Sequence, residues 1–499
     1  MCIRDSSSGV TDFGENSNTG NNPSFVFTEV DGNTNTQPGK PNVILIMADD
    51  LGWGDVGYNN ASDSLAITPN IDAMAAAGLQ MNRFYSGGPV CSPTRASFLT
   101  GRHPYRNRIY HANVGSLDQR EITIPEVLKE HGYLTGHFGK WHLGTMTTTE
   151  NDSNRGGPGV TDIFSPPWLH GNDVVFATEA KVPTYDPLIR PATGANTVGW
   201  DVVQDGEASK AYGTSFWSGP GQKVTDNMEG DDSNILVDRV LPFIRDAAGD
   251  DQPFLATVWM HTPHLPVVAS AEDRALFPDA ANNTESRLYG SIYAMDRAIG
   301  RIRTELRDLG IEDNTILWFT SDNGAALTQN GNNGSVGHLR GAKVSLFEGG
   351  IRVPGVIEWP ATISAGSQTD MPAVTSDILP TLLDILNAQH PAADRPLDGI
   401  SLLPAMAGQQ SVRNAPIGFE SRGQLAFIDD RYKLYHDVSG VGDNQTPGNN
   451  FPFSLYDIIA DPSETNDLSA TLPDVVSQLS GEFDEWRESV RRSIEGEDY

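Results

Sequence analysis

Val43-Ile44-Leu45-Ile46-Met47-Ala48-Asp49-Asp50 sets six consecutive apolar residues directly ahead of two carboxylates. A run this short and continuous fits a parallel strand covered on both faces, because a half-exposed strand would alternate with polar residues. The same grammar recurs down the chain. Residues 133–138 lead into Gly139-Lys140-Trp141-His142, 254–260 into His261-Thr262-Pro263-His264, and 315–320 into Ser321-Asp322-Asn323-Gly324. Helical stretches separate these runs: 68–78, with an early proline and a terminal glycine, then about 124–131, 234–248 and 285–309. Strands alternating with helices imply right-handed crossovers, hence an α/β fold on a large, mostly parallel sheet flanked by helices. Ligands of such sheets bind beyond the carboxyl ends of the strands. Asp49, Asp50, Lys140, His142, His261, His264, Asp322 and Asn323 all fall at such ends.

Composition narrows the partners. With 65 acidic and 34 basic residues among 499, the net charge is −31. That argues against nucleic acid or an anionic membrane, both of which demand Lys and Arg, and it suits a saline medium that screens self-repulsion. No run reaches the roughly 18 apolar residues of a membrane span. Cys2 and Cys91 are too few for a disulfide framework. Residues 1–40 are rich in Asn, Gly, Thr and Ser and read as a flexible leader or linker. Their opening has no apolar signal segment and reads as a truncated or artefactual start. The main unit is expected over 41–419, with a loop-rich insertion at 145–231 that carries Trp168, Tyr185, Trp200, Tyr212 and Trp217 and is therefore expected to be ordered. Alternating stretches near 426–458 and a helix over 472–494 predict a smaller C-terminal antiparallel-sheet subdomain over 420–499.

The chemistry centres on Cys91-Ser92-Pro93-Thr94-Arg95-Ala96-Ser97-Phe98-Leu99-Thr100-Gly101-Arg102. A small nucleophile opens a helix that a glycine closes, and a helix N-terminus welcomes an anion. A lone cysteine in a large chain is more commonly a buried structural thiol. Asp49, Asp50, Asp322 and Asn323 together form an all-oxygen set suited to a hard divalent cation, Ca²⁺ above all, although each pair alone is also explained by a turn or a helix cap. Lys140 and His142 lie two apart and point the same way if the segment is extended. Lys343, within Arg340-Gly341-Ala342-Lys343, is by itself an ordinary surface lysine.

The C-x-P-x-R-x-x-x-L-T-G-R pattern of 91–102 resembles the type I sulfatases of the alkaline-phosphatase-like superfamily, in which the cysteine is converted to formylglycine and its hydrate is the nucleophile. The resemblance extends in motif order from about 41 to 380 and reaches Leu455-Tyr456-Asp457 and Asp461-Pro462. It implies that Asp49, Asp50, Asp322 and Asn323, with the modified Cys91, bind one Ca²⁺. It further implies that Arg95 holds the hydrate, Lys140 and Lys343 grip sulfate oxygens, and His142 and His264 transfer protons, with His264 also touching substrate. His261 receives no role. The implied activity is sulfuric ester hydrolysis on a sulfated carbohydrate, after action of a formylglycine-generating maturation enzyme, in a periplasmic or secreted location. Residues 179–187 and 217–231 resemble bacterial sulfatases of sulfated carbohydrates, and the Cys91 region is similar to N-acetylgalactosamine 6-sulfatases. The alternatives are a phosphonate monoester or phosphodiester hydrolase of the same superfamily, which would prefer an aryl phosphonate, and a silent glycan-binding protein, which would keep Cys91 unmodified.

Overall fold

The apolar runs become neighbouring strands of one sheet. The computed structural model describes residues 40–326, 334–437 and 452–499, so the expected leader, apart from Lys40, lies outside the described residues. The ten strands are Asn42–Ala48 (β1), Leu79–Met81 (β2), Leu134–Lys140 (β3), Val174–Thr178 (β4), Phe216–Gly219 (β5), Gln222–Val224 (β6), Phe254–Trp259 (β7), Thr315–Ser321 (β8), Gly355–Glu358 (β9) and Ser367–Thr369 (β10). Their spatial order is β10-β2-β9-β8-β1-β7-β3-β4-β5-β6. The central run β8-β1-β7-β3-β4 is parallel throughout. Antiparallel pairing begins outside it, at β9 and β5, so the whole sheet is mixed. Between β5 and β6 only Pro220 and Gly221 intervene, far too few for a parallel crossover.

Alternation along β1 divides the core in two. Val43, Leu45 and Met47 face one cluster, with Phe98, Leu99, Leu128 and Leu379 from the helices Cys91–Thr100, Ile124–Glu130 and Ile378–Ile385. Ile44, Ile46 and Ala48 face the other, with Met74, Leu236 and Ile299 from the helices Pro69–Ala77, Asp232–Gly249 and Asn283–Asp308. Every residue of β1 is buried, and each such Val, Leu or Ile contributes on the order of 2 kcal/mol. This is the physical reason the run lacks polar interruptions.

The stretch 145–231 is more than an inserted loop. It supplies β4, β5 and β6 to the sheet, together with a separate ribbon of Ile189–Pro191 and Ser209–Ala211. Trp217 is fully buried and donates from Nε1 to Asp152 Oδ2 at 3.0 Å, so its ring packs the core. Val174-Val175-Phe176-Ala177 is an apolar run buried from Val175 onward, masked in the sequence by surrounding Gly, Pro and Asn.

The four-stranded antiparallel sheet near the C-terminus runs Ile417–Ser421, Gln424–Ile428, Tyr432–Asp437 and Ser454–Asp457 in chain order. One face packs on Leu479 and Phe483 of the helix Pro473–Glu495. Its other face meets Tyr85, Leu346, Ile351 and Val374. The helix is also locked by Asp398, whose carboxylate accepts from the His103 amide at 2.6 Å, from Arg106 Nε at 2.8 Å and from Trp486 Nε1 at 2.9 Å. Burial pushes this carboxyl up, but Arg106 outweighs it and holds it down at about 2. Asp398→Asn is therefore expected to cost about 3 kcal/mol at neutral pH, read as a lower Tm. The folded value lies below the unfolded one of 3.8, so the contribution is complete above about pH 4 and is lost as pH falls through about 2. The Tm gap between wild type and variant should close across that window; a constant gap would remove Asp398 from this role.

Candidate active site

Four central strands deliver their final residues to one edge, and backbone bonds fix the arrangement there. The Asp322 amide donates to Ala48 O at 3.1 Å, Asp49 N to Thr262 O at 3.0 Å and Met260 N to Met47 O at 2.8 Å. The clusters after β1, β3, β7 and β8 thus become neighbours, as the strand-end pattern in the sequence anticipates. The helix Cys91–Thr100, buried at every residue, brings Cys91 to them. Ser92 Oγ ties its first turn to the His142 carbonyl at 2.8 Å, and Gly101 ends it in the left-handed region at φ 68°.

Cys91 Sγ stands 3.6 Å from Asp49 Oδ1 and 3.7 Å from Lys343 Nζ. Lys140 Nζ donates to Asp49 Oδ2 at 2.7 Å, and Lys343 Nζ donates to both oxygens of Asp50 at 2.5 and 2.7 Å. Arg95 pairs with Asp322 Oδ2 at 2.7 Å and donates to the Lys140 carbonyl at 3.0 Å, both side chains being wholly buried. The second Asp322 oxygen accepts the Asp50 amide at 3.0 Å. Asn323 Nδ2 donates to Asp50 Oδ1 at 2.7 Å, while Asn323 Oδ1 is buried without a partner among the described residues. Three carboxylates and three cations therefore share one pocket. The other expected site residues border this pocket, with His142 two residues past the β3 end and its carbonyl bonded to Ser92 Oγ.

The two histidines have fixed tautomers. His264 Nδ1 donates to Leu265 O at 2.7 Å, which leaves Nε2 facing Asp50 Oδ2 at 3.6 Å. His142 Nε2 donates to Asn113 Oδ1 at 2.8 Å, which leaves a buried Nδ1 with its lone pair free. The strand ends at Lys140 and His142 takes a φ of 59°, so the expectation of an extended segment pointing both side chains the same way is corrected. His261 bridges Asp232 at 2.8 Å and Thr178 at 2.7 Å in full burial, a structural tie between a helix start and β4.

Electrostatics follow from this crowding. Burial, only partly offset by Lys140 and Lys343, pushes the Cys91 thiol up to about 12. Burial and the Asp49 carboxylate push Asp322 up against the opposing pull of Arg95. Burial would also raise Asp50, but Lys343 and His264 outweigh it and hold it well below the usual range. His142 and His264 are held well below an ordinary imidazole, first by burial and then by nearby cations, with Asp50 opposing at His264.

The tightest convergence is Asp49, Asp50, Cys91 and His264, each offering an atom within 4.8 Å of the others. Asp322 lies beside this group, its two oxygens bonded to Arg95 and to the Asp50 amide. Clustered carboxylates, a buried amide oxygen without a partner and lysines serving as counter-charges suit a hard divalent cation.

Support for the pocket comes from residues the sequence does not announce. Gly324 donates to the Gly350 carbonyl at 3.0 Å, and a Cβ at Gly324 would stand 1.9 Å from Gly349 O, so the loop bearing Lys343 seats only on a glycine. Val344 sits at φ 73°, a strained setting for a β-branched residue. Gln424, from the C-terminal sheet, holds that loop through Val344 O at 2.8 Å and Leu346 N at 2.9 Å. Buried Lys433 joins Glu348 at 3.1 Å and Glu464 at 2.8 Å. The small sheet therefore positions Lys343, a role with no local signature.

Residues 41–388 match the Sulfatase family. The chain is 34% identical over 414 residues to N-acetylgalactosamine-6-sulfatase of Canis lupus familiaris, covering 80% of this chain and 72% of that protein. To arylsulfatase A of Bos taurus it is 30% identical over 476 residues, covering 88% and 85%. The crystal structure of Ps i-CgsB in complex with a neocarrahexaose superposes with a TM-score of 0.72 at 27% identity, covering 90% of this chain and 93% of that one. Together with the pocket at the parallel strand ends, these likenesses establish that the chain belongs to the type I sulfatases of the alkaline-phosphatase-like superfamily and is a sulfuric ester hydrolase.

Proposed function

We propose that the chain removes sulfate from a sulfated carbohydrate in the periplasm or outside the cell, using formylglycine made from Cys91 and one Ca²⁺ held by Asp49, Asp50, Asp322, Asn323 and residue 91. The observation that carries this reading is the balance of the pocket: three carboxylates against Lys140, Lys343 and Arg95 leave net positive charge for an anionic ester once a divalent cation is added. A relative named N-acetylgalactosamine-6-sulfatase and a solved structure in complex with a neocarrahexaose support the carbohydrate class. Neither name selects a sugar.

Formylglycine made from Cys91 would supply, as its hydrate, the nucleophilic oxygen, and a cation held by Asp49, Asp50, Asp322 and Asn323 would supply positive charge. The chain's own residues bind, orient and move protons. Lys140 and Lys343 turn their ammonium groups to the sulfate oxygens, where charge grows as the ester bond breaks. Arg95, pinned by Asp322 and the Lys140 carbonyl, keeps residue 91 in register. His264 presents Nε2 to the leaving oxygen; Asp50 and the bound anion both raise its affinity for the proton it hands over. His142 accepts a proton at Nδ1, the atom its bond to Asn113 leaves open.

Side-by-side turnover of an aryl sulfate and an aryl phosphonate tests the reaction class. The sulfate is expected to be the better substrate, activity should vanish in chelator, and added Ca²⁺ should restore it. A preference for the phosphonate would overturn the sulfatase assignment of this pocket, and activity that persists in chelator would overturn the cation.

A further inference from the structure

Three residues past β4, at the same carboxyl edge, Lys181 begins a second pocket. A cavity of about 190 Å³ is lined by Lys181, Arg190, Asn196, Trp200, Tyr212 and Pro266. Pro266 lies two residues beyond His264, and Lys181 is close enough to Lys140, Lys343, Asp49 and Asp50 for their charges to act on it. Glu179, two residues before Lys181, accepts the His142 amide at 2.9 Å, so the cavity borders the reaction centre. It is smaller than the roughly 300 Å³ at which clefts for drug-sized ligands begin, which leaves room for a single sugar ring or its charged substituent.

Its two cations are unusual in this molecule. Among the described residues neither the Lys181 ammonium nor the Arg190 guanidinium has a carboxylate partner, and Arg190 Nε is buried with no hydrogen bond. Arg95, Arg102, Arg155, Arg287 and Arg413, by contrast, each pair with a carboxylate. Arg190 also sits directly across its ribbon from Lys210, a like-charge pairing that weakens a two-stranded ribbon. Burial and the nearby lysines already press the Lys181 ammonium toward its neutral form. A bound anion would relieve each of these costs. Trp200 and Tyr212, with ring centroids 6.3 Å apart, complete the wall with flat apolar surface of the kind that packs against a pyranose face.

We propose that Lys181 and Arg190, backed by Trp200 and Tyr212, form a second anion subsite for the sulfate or carboxylate of the sugar next to the one that is desulfated. The substrate class is then a polyanionic glycan with charge on two adjacent sugars. This rests on the reading of the first pocket as a glycan sulfatase centre, and the test separates the two.

The probes are 4-nitrophenyl sulfate, a neutral disaccharide bearing one sulfate, the same disaccharide bearing a sulfate on each sugar, and a sulfated disaccharide whose second sugar is a uronate. For the mature wild-type enzyme, kcat/KM on the two dianionic disaccharides should exceed that on the monosulfated one by about tenfold to hundredfold, mainly through KM, as expected for charge-assisted bonds. Lys181→Ala and Arg190→Gln should draw that ratio toward one, and Arg190→Lys should retain most of it. A preference for the disulfated over the uronate probe, or the reverse, identifies the source of the anion. Equal rates on mono- and dianionic disaccharides in the wild type, or variants that lose both in parallel, would overturn the subsite. Binding of the disulfated disaccharide to unconverted Cys91 protein, by calorimetry, reads the subsite without turnover: weakened affinity in Lys181→Ala supports it even if no sulfate ester is cleaved, and unaltered affinity refutes it.

Discussion

Cys91→Ala is expected to lower aryl sulfate turnover by at least about 10⁴-fold while leaving the fold intact, because it removes the atom from which the nucleophile is made. The encoded thiol does not serve in its place. Buried among carboxylates, it is pushed up to about 12 and stays protonated near neutral pH, where only a thiolate would attack. Protein made without a maturation enzyme should therefore be as inactive as the variant. Protein made with one should show aldehyde in place of thiol in the peptide spanning 91–102, and its activity should scale with that fraction. Full activity in an all-thiol preparation would refute the assignment. The structural cost should be small, about 1 kcal/mol or less, since the side chain fills little volume.

Asp322→Ala is expected to act on two levels at once. Turnover should fall by about 10³-fold or more, the scale for losing a group that fixes charge at a reacting centre. Stability should also fall, by about 3 kcal/mol, because a wholly buried guanidinium loses its hydrogen-bonded carboxylate and keeps only Asp49 at 3.8 Å and the Lys140 carbonyl. Arg95 loses its partner at 2.7 Å, and the Asp50 amide loses its acceptor at 3.0 Å. From sequence alone Asp322 reads as a removable ligand at a strand end, with no hint of this second duty. Asp322→Asn separates the duties: it keeps the shape and should recover much of the Tm, yet it should bind Ca²⁺ weakly in calorimetry and remain nearly inactive. An Asn variant with wild-type turnover would take Asp322 out of the site.

Legibility followed how local each signal was. β1, β7 and β8 were readable because burial on both faces demands nearly unbroken apolar runs, and that demand is written residue by residue; β3, with Thr135 and His137 inside it, was readable only from its place after a helix and ahead of Lys140-Trp141-His142. β4 carries only a short buried run, Val175 to Thr178, which loops on either side obscured, and β5 and β6 are too short for periodicity to register. Lys343 stood out only through the family resemblance, since nothing in its neighbourhood separates it from a surface lysine, whereas Lys140 was marked by its place at a strand end. Asn113, Gln424 and Lys433 had no signal at all: each acts through a partner from a distant segment, and loop closure over such separations leaves no pattern in sequence.

By itself the sequence determined the α/β architecture, the edge at which its polar clusters gather and the cysteine at their centre. Each of these depends on short-range patterns of hydrophobicity and turn chemistry. Only the tertiary structure decided how the charges pair: that Arg95 bonds Asp322, that the C-terminal sheet holds the Lys343 loop, and that, among the described residues, His142 Nδ1 has no partner and Lys181 and Arg190 have no carboxylate. Pairing is a property of distances of a few ångströms between residues that the chain keeps far apart, and a linear pattern carries no record of it.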